Sequence, residues 1–267
     1  MAWVQIGEKD IHYIEAGSGP PLVFLHGFGS CAEAWHQQFD AFGDRYNVIA
    51  YDSVNHGHSA NSPRDTPEPD RADELEGFLT ALNLDRPILA GNSMGALTIL
   101  RWATRNPDRA RALIPSGMGI TGPDGTSDSD MPATTRRSLF DPVSEDVLFL
   151  PAEGGFTPDF PKQRPVEYER YVRLRSTATR IEASRSPRPF TMKDPTRDEL
   201  ADRVGKIRSP MQIIVGEKDW LAGAAVNLHK AVDNSRLAVV PNAPHNVYFQ
   251  TAAEYNAIVN TFLGGIP

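Results

Sequence analysis

A serine between two glycines is the strongest chemical signal in this chain of 267 residues. Gly91-Asn92-Ser93-Met94-Gly95 matches the pattern G-x-S-x-G and stands between a short apolar run and a helical pattern. A sharp turn from a strand into a helix would place the Ser93 hydroxyl at a helix N-terminus, where the dipole favours developing negative charge. This context favours a nucleophile over the plain alternative, a chance match in a tight turn.

A second motif follows an earlier apolar run. His26-Gly27-Phe28-Gly29 comes directly after Leu22–Leu25. Two glycines after a buried strand build a loop whose backbone N–H groups can donate hydrogen bonds to an oxyanion. Taken alone, the motif is more typical of an ordinary glycine turn beside a core histidine.

The segments that must position these motifs alternate between strand and helix patterns. Aliphatic and β-branched runs indicate strands, and apolar residues at helical spacing indicate helices. The predicted strands are 3–6, 11–15, 22–25, 47–51, 87–90, 110–114, 211–215 and 237–240, and the predicted helices are 32–42, 70–82, 95–104, 222–232 and 254–263. This alternation predicts a mostly parallel sheet with helices on both faces, and the two early strands suggest an antiparallel edge.

Composition changes in the middle of the chain. Residues 118–205 are rich in Pro, Gly, Asp and Arg and have few apolar residues. We therefore predict that residues 1–117 and 206–267 form one split domain and that 118–205 are an insertion.

Composition and charge exclude several classes of protein. The chain is 40% hydrophobic and 23% charged, which excludes disordered, collagenous and coiled-coil proteins. Its net charge of −7, without a basic run, makes it a poor candidate for nucleic acid or an anionic membrane. The single cysteine, Cys31, suggests a reducing, cytoplasmic compartment. No signal peptide is visible, and no transmembrane helix is expected.

Several motifs in a fixed order carry a family resemblance. They are His26–Gly29, Asp52 with Gly57 and Ser59, Gly91–Gly95, Asn106–Arg109, Gly216–Asp219, and His245. Together they resemble the α/β-hydrolase fold family, of the serine esterase, lactonase and meta-cleavage-product hydrolase type. The resemblance covers nearly all of both flanks. It implies the α/β-hydrolase fold: a mostly parallel central sheet of about eight strands, helices on both faces and an inserted helical cap.

The resemblance also implies a catalytic triad in the order nucleophile, acid, histidine. Ser93 is then the nucleophile, Asp219 the acid and His245 the base. Glu217 is a nearby alternative acid, but Asp219 fits the family's G-x-x-D pattern. The plain alternatives are a helix cap for Asp219 and a surface loop position for His245.

The chemistry implied is acyl transfer. His245 would accept the proton of Ser93 as the serine attacks a carbonyl, and Asp219 would stabilise the imidazolium. The backbone N–H groups of Phe28 and Met94 would form the oxyanion hole, and water would release the acid from the acyl-enzyme. No metal and no organic cofactor is expected.

The insertion is expected to cap the serine. The predicted substrate pocket consists of Phe140, Phe149, Trp220 and Val247. Phe156 is a further candidate for the pocket, or belongs to a small core of the cap itself. The best helix of the cap, 166–183, has charges on all sides, including Glu167, Glu169, Arg170, Arg173 and Arg175. They favour a solvated surface; the alternative is a lid whose arginines attract an acidic substrate.

The other histidines are expected to have no catalytic role. His12 is expected to be exposed on an early strand. His56 and His58, close to Asp52, resemble a metal cluster, but the family resemblance assigns them to a structural turn and no metal is predicted.

Four functions stay open at this point. The first is a serine esterase or lactonase that acts on a small, mostly apolar substrate. The second is a carbon–carbon bond hydrolase of the meta-cleavage type, which ranks lower because Ser30 and Cys31 follow Gly29 where those enzymes usually carry a longer glycine loop. The third is cofactor-free peroxidation of carboxylic acids with the same triad. The fourth, of another class, is a ligand-binding, receptor-like protein with slow hydrolysis. The expected partner is a small-molecule substrate, and the chain is either a monomer or a homodimer.

Overall fold

A central sheet organises the computed structural model, which describes residues 1–62, 70–122, 154–183 and 200–266. Its strands are β1 Ala2–Ile6, β2 Lys9–Ala16, β3 Pro21–Leu25, β4 Asn47–Tyr51, β5 Ile88–Asn92, β6 Ala112–Ser116, β7 Met211–Gly216 and β8 Ser235–Val240. Their order across the sheet is β1-β2-β4-β3-β5-β6-β7-β8. The β1–β2 and β2–β4 pairs are antiparallel, and all pairs from β4–β3 to β7–β8 are parallel.

Helices connect the parallel strands. They are α1 His36–Phe42, α2 Arg71–Ala81, α3 Met94–Arg105, α4 Phe160–Gln163, α5 Pro165–Ala183, α6 Ala222–Ala231, α7 Val247–Gln250 and α8 Ala252–Gly264. Short 3₁₀ turns cover Ala32–Trp35 and Val204–Lys206. Among the residues described, no helix is both long and apolar enough to cross a membrane.

The predicted fold class is confirmed. The eight-stranded, mostly parallel sheet with an antiparallel edge is the α/β-hydrolase architecture that the motifs implied. The predicted strands and main helices are found at the expected places, with ends that differ by at most two residues, except that residues 32–35 of the first predicted helix form a 3₁₀ turn before α1. The assignment of 118–205 as a cap stays a prediction.

Successive side chains of β3 point to opposite faces of the sheet, and both faces are covered by apolar layers. Val23 and Leu25 pack into one apolar layer, and Leu22 and Phe24 pack into the other. The first layer includes residues of α2, α3 and α6, and the second includes residues of α1 and α8. All four β3 side chains are at most 2% exposed, as expected of a strand between two helical layers.

The parallel strands bring the predicted site residues to one edge of the sheet. The carboxyl ends of parallel strands share an edge, and α/β proteins place their ligands there. The loop after β3 carries His26, and the turn after β5 carries Ser93. Asp219 follows β7 and His245 follows β8. Four segments that are distant in sequence therefore meet above the same end of the sheet.

Candidate active site

Ser93 occupies a strained turn between β5 and α3. Its backbone angles are φ 54° and ψ −113°, outside the regions that a side chain normally allows. Such a conformation costs about 1–3 kcal/mol and persists only where the surroundings impose it. The Ser93 N–H donates to the carbonyl of Ser116 at 2.9 Å, which fixes the turn against β6. The turn leaves Ser93 partly exposed at the start of a helix.

The two glycines of the motif are required by close packing. A Cβ at Gly91 would lie 2.5 Å from the carbonyl carbon of Gly95, and a Cβ at Gly95 would overlap the carbonyl oxygen of Leu25. Real Cβ atoms essentially never come this close to backbone atoms. The G-x-S-x-G spacing is therefore a packing requirement of this turn and not a chance match.

Asp219 and His245 form a buried hydrogen-bonded pair. Asp219 Oδ2 lies 2.9 Å from His245 Nδ1, and their side chains are 0% and 9% exposed. The second oxygen, Oδ1, accepts the backbone N–H of Leu221 at 2.9 Å. Each carboxylate oxygen thus faces a donor, which holds the carboxylate in one orientation and directs a proton onto Nδ1. Glu217, the alternative acid, is exposed and accepts the N–H of Asn242 instead.

Two residues position the His245 ring. The Trp220 ring stacks on it, with centroids 4.2 Å apart and an interplanar angle of 24°. On another side lies Gly117, where a Cβ would stand 3.1 Å from His245 Nδ1 and Cε1. Gly117 directly follows the Ser116 carbonyl that holds Ser93, so the imidazole and the serine turn pack on the same short segment.

The structure joins two of the three predicted triad side chains directly. Within the described part of the chain, the Ser93 hydroxyl makes no hydrogen bond to the His245 ring. Catalytic hydrogen bonds are often long or poorly aligned without substrate and tighten only in the complex. The triad role of these residues stays a prediction that the geometry supports.

The loop 27–30 lies against the serine. A Cβ on Gly27 would stand 3.4 Å from Ser93 Cβ, so little space separates the two backbones. The carbonyl of Gly27 accepts both the Ser30 N–H at 3.1 Å and His26 Nδ1 at 2.8 Å. Because a trans peptide is planar, this carbonyl fixes the opposite direction for the N–H of Phe28.

Met94 offers the second predicted donor. It is the first residue of α3. The N–H groups of a first helical turn have no partner inside the helix. The amide of Met94 is therefore suited to the oxyanion role predicted for it.

His26 is a structural support of the loop and stays neutral. Its Nε2 accepts the backbone N–H of Ser53 at 3.0 Å, so the ring proton must sit on Nδ1, which donates to Gly27. Complete burial lowers the pKa of His26, which favours this neutral form. The motif's histidine thus holds the loop and does not face the reaction.

Residues 154 and 155, which belong to the predicted insertion, are hydrogen-bonded to the histidine loop. The carbonyl of Gly154 accepts the His245 N–H at 3.2 Å, and the carbonyl of Gly155 accepts the Asn246 N–H at 3.0 Å. Phe156 follows in a buried aromatic cluster whose other members are Phe160, Tyr168, Tyr171 and Phe249. This cluster joins α4 and α5 to α7, so it is shared between the insertion and the core.

The predicted pocket residues have different positions. Trp220 is partly exposed and stacks on the predicted base. Val247 is fully buried in the second apolar layer. Phe140 and Phe149 lie outside the described residues. The pocket stays a prediction.

One histidine was wrongly predicted. His12 is fully buried, whereas its strand position suggested exposure. Its Nδ1 lies 2.8 Å from Asp52 Oδ2, and Asp52 Oδ1 accepts the N–H of Ala32 at 2.7 Å. His58 approaches the same carboxylate, and one ligand atom from each of the three residues lies within 4.8 Å of the others. Asp52 thus joins strand β2 and the 3₁₀ turn at Ala32 to its own turn, where Oδ2 also accepts the N–H of His58 at 2.9 Å.

Arg175 is a further correction. The sequence favoured a solvated surface for the charges of α5, yet Arg175 is only 5% exposed. Its Nη1 donates to the carbonyl of Phe28 at 3.2 Å. Charged residues lie on all sides of this helix, so its sequence has no apolar periodicity that distinguishes Arg175 from the neighbouring charged residues. Gly117 also had no sequence signal for its role; its φ of +56° and its close approach to His245 disfavour a side chain there.

A family comparison agrees with this architecture. The profile of the "Alpha/beta hydrolase family" matches residues 22–258. The chain belongs to the alpha/beta hydrolase family. The match includes the serine turn, the Asp219 loop and His245, and family membership supports an enzymatic hydrolase.

Individual relatives share the length of the chain. It is 27% identical to a 2-hydroxy-6-oxo-6-phenylhexa-2,4-dienoate hydrolase of Comamonas testosteroni over 98% of this chain and 95% of that protein. The structure of Est816, described as an N-acyl homoserine lactone degrading enzyme, superposes with a TM-score of 0.76 and 22% identity, over 98% of this chain and all of that one. A thermophilic esterase from Thermogutta terrifontis gives a TM-score of 0.77 with 18% identity, over 99% and 98%.

Proposed function

We propose that this protein is a serine hydrolase that cleaves an ester or lactone of a small, mostly apolar substrate through an acyl-enzyme. Ser93 is the nucleophile, His245 the base and Asp219 the residue that orients the base. The amides of Phe28 and Met94 stabilise the oxyanion. The proposal is consistent with the lactone-degrading and esterase structures that share the fold.

One observation carries this proposal: a buried Asp219–His245 pair packs on the same segment, residues 116–117, as a serine in a strained strand-to-helix turn. A neutral imidazole with its proton on Nδ1 presents an unprotonated Nε2, the form that can accept a hydroxyl proton. Asp219 directs that tautomer through the 2.9 Å bond to Nδ1. The burial of the pair strengthens its electrostatic effect on the imidazolium that forms during attack.

The reaction then follows in two halves. The Ser93 oxygen attacks the carbonyl carbon while its proton moves to His245, and the tetrahedral oxyanion is held by the two backbone amides. Collapse expels the alcohol, which takes the proton from His245. A water molecule gives a proton to His245 and attacks the acyl-enzyme, and when the second tetrahedral intermediate collapses the Ser93 oxygen takes that proton back as the acid leaves. For a lactone, the leaving alcohol remains attached to the product.

A labelling experiment tests the nucleophile. The protein is incubated with a fluorophosphonate probe and the adduct is mapped, with Ser93→Ala and Ser235→Ala as variants. Ser235 is a matched control because it lies at the amino end of β8, opposite the site, where its hydroxyl bonds to Val232. We expect labelling and p-nitrophenyl butyrate turnover to be lost only in Ser93→Ala. Labelling at another serine, or esterase activity that survives Ser93→Ala, contradicts the proposal.

A second candidate is carbon–carbon bond hydrolysis with the same side chains. It is favoured by the full-length similarity to the Comamonas testosteroni hydrolase. A panel that contains p-nitrophenyl acetate, p-nitrophenyl butyrate, a γ-lactone and a vinylogous diketone separates the two. Turnover of the diketone alone would replace the ester proposal with this one.

A further inference from the structure

A buried cation lies beside the loop that carries the predicted oxyanion donor. Arg175 of α5 is 5% exposed, whereas the side chain of Arg173 on the same helix is 81% exposed. A guanidinium loses much hydration on burial, and hydrogen bonds must compensate for that loss. The acceptors that Arg175 finds are therefore informative about its role.

The guanidinium binds the backbone of the 27–30 loop. Nη1 donates to the carbonyl oxygen of Phe28 at 3.2 Å and makes a longer contact of 3.5 Å with the carbonyl of Gly29. The peptide that joins Phe28 to Gly29 is thus held from the side of α5. A helix of the insertion contacts the loop at the residue that is predicted to donate to the oxyanion.

Gly29 is shaped to receive this contact. Its φ is +66°, and a Cβ there would lie 2.7 Å from Arg175 Nη1 and 3.0 Å from Cζ. Any other residue would push the guanidinium away from the loop and would also carry backbone strain. The glycine at this position therefore serves the approach of the arginine as well as the turn.

The loop is held from two directions. On the core side, the carbonyl of Gly27 accepts bonds from His26 and Ser30, which sets the direction of the Phe28 N–H. On the other side, Arg175 holds the next peptide group along the chain. The φ and ψ angles of Phe28 join these two peptide groups, so the contact of Arg175 with the second group restricts the rotations by which the Phe28 N–H could turn away from the oxyanion.

We propose that Arg175 is a positioning residue that keeps the Phe28 amide directed at the reacting oxygen, so that acyl transfer depends on the docking of α5. This inference rests on the proposed serine hydrolase function. It makes a part of the insertion necessary for the chemical step and not only for covering the substrate. The competing role for a buried arginine, binding a carboxylate of the substrate, predicts a different kinetic result.

The test compares a neutral and an anionic ester. kcat and KM are measured for p-nitrophenyl butyrate and mono-p-nitrophenyl glutarate with the full chain and its Arg175→Gln, Arg175→Lys and Arg173→Gln variants. Loss of one oxyanion donor costs about 10²–10³-fold in kcat, and a loosened donor costs less. We expect Arg175→Gln to lower kcat about 10–100-fold for both esters, with KM changed less than about threefold. Arg175→Lys should fall between it and the parent, and Arg173→Gln should stay within twofold.

A double-mutant cycle locates the effect. Gly29→Ala introduces backbone strain in every background, but it clashes with the guanidinium only where Arg175 is present. We expect Gly29→Ala to reduce kcat by a smaller factor in Arg175→Gln than in the parent, by at least about threefold, because contacting residues couple. Equal factors in both backgrounds would overturn the proposed contact.

The remaining outcomes are also decisive. Unchanged kcat in Arg175→Gln, or a rise in KM confined to the glutarate ester, would overturn the positioning role, the second in favour of a carboxylate-binding arginine. If Arg175→Gln does not fold by circular dichroism, the Arg175→Lys variant is judged by the same split between kcat and KM. Absence of Ser93-dependent turnover in the parent would overturn the proposed function itself, whereas a fully active Arg175→Gln overturns only this inference.

Discussion

Replacing Asp219 by asparagine should stop catalysis without disturbing the fold. The two carboxylate oxygens of Asp219 face different donors: Oδ1 accepts the Leu221 N–H and Oδ2 accepts from His245, both at 2.9 Å. An amide has one oxygen and one NH₂ group, so it can satisfy only one of them. The backbone N–H of Leu221 can only donate, whereas an imidazole nitrogen can change its role with the tautomer.

Asparagine will therefore turn its oxygen to Leu221 and its NH₂ group to His245. Nδ1 must then accept, and the ring proton moves to Nε2, the nitrogen that should take the proton of Ser93. Such an exchange of tautomer lowers kcat by about 10⁴ in a triad. That factor corresponds to about 5 kcal/mol in the activation free energy.

The assay is p-nitrophenyl butyrate hydrolysis by the parent, Asp219→Asn and Glu217→Gln. Glu217 is a matched control because it stands two residues away, is exposed and accepts the Asn242 N–H. We expect it to keep kcat within about threefold, since it touches no reacting group. An Asp219→Asn variant that keeps kcat within tenfold, or a large loss in Glu217→Gln, would refute the assignment of the acid.

Three further changes test other contacts. Burial holds the pKa of His56 well below 6.5, so this residue stabilises the fold above pH 6.5 and loses that effect as the pH falls. In urea titrations between about pH 7 and 5, the free energy of unfolding should fall less steeply with decreasing pH in His56→Asn than in the parent, by up to about 1.4 kcal/mol per pH unit. An unchanged slope contradicts this. Gly95→Ala should lower stability by about 1–3 kcal/mol through overlap with Leu25, and a parental melting temperature would speak against it. Trp220→Leu should reduce kcat about fivefold because it removes about 1 kcal/mol of stacking on His245. An unchanged kcat would show that this stacking does not contribute to catalysis.

The sheet and the ends of its strands follow from local sequence. The run 22–25 is apolar at every position because both of its faces are covered, and this pattern is visible without a structure. The glycines around Ser93 were also readable, because a turn that brings backbones into contact excludes side chains. Motif order then gave the family and placed candidate residues on the loops after β5, β7 and β8.

Contacts between distant segments could not be predicted in this way. His12 has the alternation of an exposed strand position, but Asp52, forty residues away, supplies the hydrogen bond that allows its burial. Arg175 differs from Arg173 only in what the helix meets, and that partner is a carbonyl 147 residues earlier. A backbone acceptor has no sequence signal, so side chains that bind one are invisible until the fold is known.

The hydrogen bonds from His245 and Asn246 to the carbonyls of Gly154 and Gly155 affect how chain segments can be exchanged between homologous proteins. A chimaera that takes the predicted insertion from one homologue and the rest of the chain from another would have to form these two backbone hydrogen bonds again at its junction. Because these hydrogen bonds use only main-chain atoms, side-chain divergence at 155 need not block the exchange, whereas a shift of one residue in length would; Gly154, with a φ of 80°, favours glycine in any partner sequence. Recombination breakpoints should therefore tolerate sequence differences here far better than insertions or deletions.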